Sequence, residues 1–147
     1  MSRTILRLLP ALLAVLLISC GPKSGGEKKY FVAFSQCNSA EPYRAAQNQR
    51  MQELFARKPD VQLAISDAQQ DNSKQIAQIE AFIRQKPDLL IVAPNERAPL
   101  ANIMGRAIAE HIPVICLERD IAEPNYTTFV GADNLVRGDG MRCYGIE

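Results

Sequence analysis

The sequence predicts an α/β fold, an open and mostly parallel sheet with helices on both faces. Three observations carry this. From Tyr30 onward, short β-branched or aliphatic runs alternate with longer stretches of helical period. The runs are largely continuous and apolar instead of strictly alternating, as strands covered on both faces are. The joints repeat in kind: Lys58-Pro59-Asp60-Val61, Lys86-Pro87-Asp88-Leu89 and His111-Ile112-Pro113-Val114 each set a Pro between helix and strand. Pro lacks the backbone donor a helix needs and restricts the residue before it, so each joint ends a helix.

In chain order, strands are expected at Tyr30 to Ser35, Val61 to Ser66, Leu89 to Ala93, Val114 to Leu117 and Thr127 to Val130. The first three gaps each hold a crossover helix and the last is too short for one. Pro42 suits the first turn of a helix running to about Lys58. Asn72 with Gln75 makes a capping-box pattern before Ile76, Ile79, Phe82 and Ile83, which share one helical face. Pro99 opens a third helix with Leu100, Ile103, Ala107 and Ile108 on one side. Right-handed crossovers then give the open sheet.

The N-terminus reads as an address. Arg3 and Arg7 precede the apolar run Leu8 to Ile18, which is shorter than the about 20 residues that span a bilayer. A basic start, a short apolar middle and small residues at its end fit a secretory signal peptide. Residues 1–19 are therefore expected to be the leader, 20–29 a Gly/Ser-rich flexible tether, and 30–134 the folded lobe. Residues 135–147, with Gly138 and Gly140 interrupting the next helical pattern, are expected to be an irregular tail.

Composition bounds the function. The 147 residues carry 17 Lys+Arg against 16 Asp+Glu, a formal charge of +1, with 47% hydrophobic and 22% charged residues. That balance offers no footprint for nucleic acid. With one His and no Cys-x-x-Cys, a conventional zinc site lacks ligands, and no metal or other cofactor is expected. Neither a G-x-G-x-x-G after the first strand, nor a G-x-x-x-x-G-K-[ST], nor a G-x-S-x-G turn occurs. No catalytic residues are assigned, and an enzyme is not expected.

In open α/β sheets, ligands bind beyond the carboxyl ends of the strands. The segments there are Ser35 to Arg44, Asp67 to Asn72, Pro94 to Arg97, Glu118 to Asp120 and Gly131 to Asn134, all polar and rich in amides or carboxylates. Such groups suit a polyhydroxylated ligand, because each hydroxyl both donates and accepts and an Arg fork can bridge two oxygens. Gln36, Asn38, Tyr43, Arg44, Asp71, Asn95, Glu96, Glu118, Arg119 and Asp133 are the candidate ligand-binding residues. Asn38, Asp71 and Asn72 could instead cap helices, Tyr43 could pack, and Glu118 with Arg119 could form a surface ion pair.

Two resemblances follow from these residues. Leu17-Ile18-Ser19-Cys20 resembles a bacterial lipobox, which implies that Cys20 is the lipidated first residue of a mature protein anchored to the membrane in the periplasm or cell envelope. Phe34-Ser35-Gln36 with Glu41-Pro42-Tyr43-Arg44, Asp67-Ala68-Gln69-Gln70-Asp71-Asn72, Ile91 to Glu96, Ile112-Pro113-Val114, Glu118-Arg119 and Gly131-Ala132-Asp133-Asn134 together resemble type I periplasmic sugar-binding proteins, the ribose- and galactofuranose-binding group that feeds ABC importers. The resemblance implies the N-terminal lobe of that fold. It also implies a monosaccharide held by Tyr43-Arg44, Asp71, Glu96 and Arg119, with an ABC permease as partner. Glu118 stands where the family has Asp, one methylene shorter. Asp133-Asn134 stands where the family's chain nears its hinge. Family members have a second, similar lobe, and this sequence is expected to lack it, as a truncated or frameshifted product would. The same lobes also serve as periplasmic sugar-sensing input domains of signalling proteins, which is the alternative reading.

Overall fold

A computed structural model of the chain describes residues 29–131 and 142–145. The expected leader, Cys20, the tether up to residue 28 and Asp133 lie outside the described residues.

One six-stranded sheet holds the fold together. Its strands are β1 (Tyr30–Gln36), β2 (Val61–Asp67), β3 (Leu89–Val92), β4 (Val114–Leu117), β5 (Thr128–Gly131) and β6 (Arg142–Gly145), in the order β2-β1-β3-β4-β5-β6. The first five run parallel, and β6 pairs antiparallel with β5, Val130 facing Cys143. Order reverses at β1, whose neighbours are β2 and β3, so the loops after β1 and β3 flank a crevice.

Three helices cross between strands: α1 (Pro42–Ala56), α2 (Asn72–Gln85) and α3 (Arg97–Ala109). Strand alternation sorts the core into two halves. Ala33, Leu90, Val92, Val114 and Cys116 face Ile79, Phe82 and Ile83 of α2 and Leu100, Ile103, Met104 and Ala107 of α3. Val32, Phe34, Ile91 and Ala93 face the other way, toward Met51 and Phe55 of α1. Helices therefore cover both faces. The α1 cover is thinner, for none of its residues is fully buried, while the α2 and α3 side holds most of the buried apolar area and hence most of the hydrophobic stabilisation.

Four local expectations need correction. The cap of α2 is Asp71, not Asn72: its carboxylate accepts from the backbone N–H groups of Ser73 and Lys74, while Gln75 turns inward. Helix α3 begins at Arg97, two residues ahead of Pro99, which sits in its first turn, where a missing N–H costs nothing. Helix α1 stops at Ala56 instead of Lys58. The tail expected to be irregular contributes β6, because the free edge of β5 offers backbone partners that outweigh the glycines. At the ends of α2 and α3, left-handed Lys86 (φ 51°) and His111 (φ 61°) turn the chain before the prolines. Their N–H groups reach the carbonyls of Ile83 and Ile108. Among the described residues, no helix is long and apolar enough to cross a membrane.

Candidate functional site

The carboxyl edge of the sheet divides into two polar clusters, because α1 starts on one face of the sheet and α2 and α3 start on the other. On the α1 face, Gln36 ends β1 with its side chain wholly buried. Its Nε2 donates to Gln47 Oε1 (2.8 Å) and Asn48 Oδ1 (3.1 Å), and its Oε1 accepts from Arg44 Nη1 (3.0 Å) and the Cys37 N–H (3.2 Å). Asn38 is buried too and shapes the following turn, accepting from the Ala40 N–H (2.6 Å) and donating to Glu41 Oε1 (3.2 Å).

Arg44 lies in the first turn of α1 with its side chain only 12% exposed. Nη1 meets Glu118 Oε2 at 2.8 Å and Nε meets Glu41 Oε2 at 3.2 Å. Glu118 comes from the loop after β4, two strands away, and its other oxygen accepts from Gln47 Nε2 at 2.6 Å. Tyr43 is 60% exposed at the mouth of this cluster. Its hydroxyl pKa is raised, by partial burial first and then by the Glu118 carboxylate beside it. Arg119 is exposed. Burial pushes the Cys37 thiol up, against the opposing pull of the Arg44 and Arg119 charges.

The second cluster follows β2 and β3. Asp71 spends Oδ1 on capping α2. Asn95 donates to Asn72 Oδ1 (2.8 Å) and to the Gln70 carbonyl (3.0 Å), tying the loops after β3 and β2 together. Glu96 precedes α3 without capping it and is exposed. Among the described residues, no hydrogen bond or ion pair joins Asp71 or Glu96 to Arg44 or Arg119. The structure thus brings together Gln36, Asn38, Arg44 and Glu118, with Tyr43 at their mouth and exposed Arg119 next to Glu118 in the chain, and holds Asp71, Asn95 and Glu96 in a neighbouring group on the same edge.

Between the first two loops lies an open polar cavity of about 390 Å³, lined by Asn38, Ala40, Asp67, Gln69 and Gln70. Gln69 and Gln70 are both left-handed (φ 56° and 64°), which folds this loop back against the first. Another cavity, of about 240 Å³, lies between α1 and β2 and is lined by Gln52, Phe55, Ala56, Val61, Leu63 and Ile65. Gln52 is its one polar side chain, too few groups to pair the hydroxyls of a polyol, whereas the carboxyl edge carries many. Among the described residues, no group of three or more His, Cys, Asp or Glu is placed to hold a metal ion.

Gln47 and Asn48 are absent from the sequence-based site. The signal for them is the helical spacing: at three and four residues beyond Arg44, they share its face of α1. Nothing local distinguishes them from other exposed amides until Gln36 and Glu118 are seen to reach them.

Residues 32–140 match the family described as the periplasmic binding protein domain. The ribose import binding protein of Bacillus subtilis (strain 168) is 28% identical over 116 residues, covering 79% of this chain and 38% of that protein. Among solved structures, the fructose-binding periplasmic domain of a hybrid two-component system is 33% identical with a TM-score of 0.68, covering 71% of this chain and 35% of that one. An ABC transporter solute-binding protein from Bacillus halodurans C-125 with bound myo-inositol is 28% identical with a TM-score of 0.69, covering 76% and 39%. The chain spans well under half the length of each of these proteins. With five parallel strands in the order β2-β1-β3-β4-β5, polar loops gathered at their carboxyl ends and a family match over most of its length, the chain belongs to the periplasmic binding protein domain family.

Proposed function

We propose that this chain binds a monosaccharide or similar polyol at the carboxyl edge of its sheet, as the substrate-binding component of an ABC importer. The single observation that carries the reading is the meeting of Arg44, from the segment after β1, with Glu118, from the loop after β4, at 2.8 Å on the carboxyl edge, with Tyr43 exposed beside them and Arg119 next to Glu118 in the chain. An aromatic face, guanidinium donors and a carboxylate acceptor match a sugar ring's apolar face and its rim of hydroxyls. The ligands named for the relatives, ribose, fructose and myo-inositol, share that chemistry. Asp71, Asn95, Glu96 and Asp133 would contribute from the flanking loops. Cys20 would carry a lipid anchor and hold the lobe at the membrane.

Calorimetric titration of the full chain with a panel of pentoses, hexoses and inositols tests the reading. A charge-assisted hydrogen bond is worth about 1.5 to 3 kcal/mol, so Arg44→Ala and Arg119→Ala should each weaken binding by about tenfold or more. Unchanged affinity in both variants would move the site elsewhere. A second reading, a sugar-sensing input domain, is favoured by the similarity to the two-component periplasmic domain. Copurification of a permease complex or of a kinase with the tagged chain separates the two.

A further inference from the structure

We propose that Glu118 is the positioning residue of the ligand loop: it reaches across the end of β3 to clamp the first turns of α1, and by engaging Arg44 it sets the site for neutral ligands over anionic ones. The proposal rests on the sugar-binding reading above.

Glu118 is built to point. It is the centre of a three-residue turn closed by the Arg119 N–H on the Leu117 carbonyl (2.8 Å), and its own N–H binds the Val130 carbonyl (2.7 Å). Its φ of 68° is the left-handed region that a residue with a Cβ enters at a cost, and such turns are rare. Strain of this kind persists only where surrounding contacts hold it. Here those contacts are Arg44 Nη1 at 2.8 Å and Gln47 Nε2 at 2.6 Å, one for each carboxylate oxygen. The side chains of Arg44 and Glu118 are 12% and 21% exposed, so solvent screens this pair less than an ordinary surface bridge. Strand β3 lies between the two partners, and on this face it is followed by Ala93, whose single methyl leaves room for a side chain to cross. An Asp at this position would fall short by about 1.5 Å, one carbon–carbon bond.

The clamp also decides what Arg44 can offer. Nε is engaged by Glu41, and the two hydrogens of Nη1 go to Gln36 and Glu118. Each two-nitrogen edge of the guanidinium therefore has one nitrogen already engaged, and two carboxylates flank it. A carboxylate or phosphate needs a free edge for its fork, whereas a hydroxyl needs one donor. Replacing Glu118 by Gln leaves Nη1 an acceptor but removes one of the two flanking negative charges, so an anion is repelled less.

The test uses the full ¹⁵N-labelled chain and Glu118→Gln, Glu118→Asp and Glu118→Ala. Hydrogen exchange of the Arg44 Nε–H, read by NMR without ligand, should speed up about tenfold or more in Glu118→Asp and Glu118→Ala, with Glu118→Gln partly rescuing it. Exchange unchanged in all three overturns the clamp. Titration with D-galactose and D-galacturonate reads selectivity. The preference for the neutral sugar should fall about tenfold in Glu118→Gln, and an unchanged ratio overturns the selectivity claim. If every form binds neither sugar, the selectivity claim fails, the exchange data still decide the clamp, and the panel of pentoses, hexoses and inositols decides the sugar-binding reading. If the wild type binds D-galactose but Arg44 exchange ignores Glu118, the clamp alone fails.

Discussion

Gln75 holds the backbone of Asn95 in place: buried in the second turn of α2, its Oε1 accepts from the Asn95 N–H at 2.9 Å. Its Nε2 donates to the Ala93 carbonyl at 2.9 Å and to Ser35 Oγ at 3.3 Å. One amide thereby ties a helix to the ends of β1 and β3, the two strands that flank the crevice. Gln75→Leu keeps the volume but leaves the Asn95 N–H and the Ala93 carbonyl buried without partners. The expected loss is about 2 to 4 kcal/mol of stability in urea unfolding. A loss under about 0.5 kcal/mol would mean that water or a shifted loop satisfies both groups.

Asp71 has a cap's geometry, and its replacement should behave as a cap's does. Asp71→Ala is expected to lower stability by about 1 kcal/mol. Asn72→Ala, which removes one partly buried bond from the Asn95 side chain, should cost less. If Asp71 also touches ligand, its replacement will weaken sugar binding at a temperature where the fold is intact. Stability loss alone assigns it to α2.

Much of this architecture is legible in the sequence, and the departures have physical reasons. Strands β1 to β4 announce themselves because each centres on a short, mostly apolar run bounded by Pro or polar loop residues, as at Asp88 to Ala93. The α2 cap is misplaced by one residue because Asp71 and Asn72 are both good caps, and only the direction of Gln75 settles the choice. Strand β6 is hidden because Arg142 to Gly145 has no strand pattern of its own and is recruited by the open edge of β5. The loops of the site are legible from topology alone. The division into two clusters is not, since it depends on which face each helix covers and on a Glu118 side chain bridging elements 71 residues apart.

Cys116 lies fully buried in β4, its Sγ directed at the Arg119 carbonyl at 3.2 Å. Burial, reinforced by Asp120, pushes its thiol up to about 12 from an ordinary value of 9. The unfolded chain therefore releases this proton at a lower pH than the folded one. The stabilising share is fully present below about pH 9 and lost as pH rises toward 12. Unfolding curves between pH 8 and about 11 should show stability falling, with a smaller fall in Cys116→Ala. Ellman's reagent should leave Cys116 unmodified in the native chain and react with it in urea. Rapid native reaction would contradict this burial.

Cys20 lies in the lipobox-like stretch Leu17 to Cys20, outside the described residues. Cells expressing the full chain and given a fatty-acid analogue should label the wild type and leave Cys20→Ala unlabelled. Equal labelling of both would remove the proposed anchor.

The central claim, that the carboxyl edge of the sheet binds sugar, is tested most directly by NMR titration of the full ¹⁵N-labelled chain with D-ribose, D-galactose and myo-inositol. Saturable shifts are expected at residues 36–44 and 118–119, with smaller ones at residues 69–72 and 95–96. Saturable shifts centred on Phe55, Val61 and Leu63, or none at all with any of the three ligands, would contradict it.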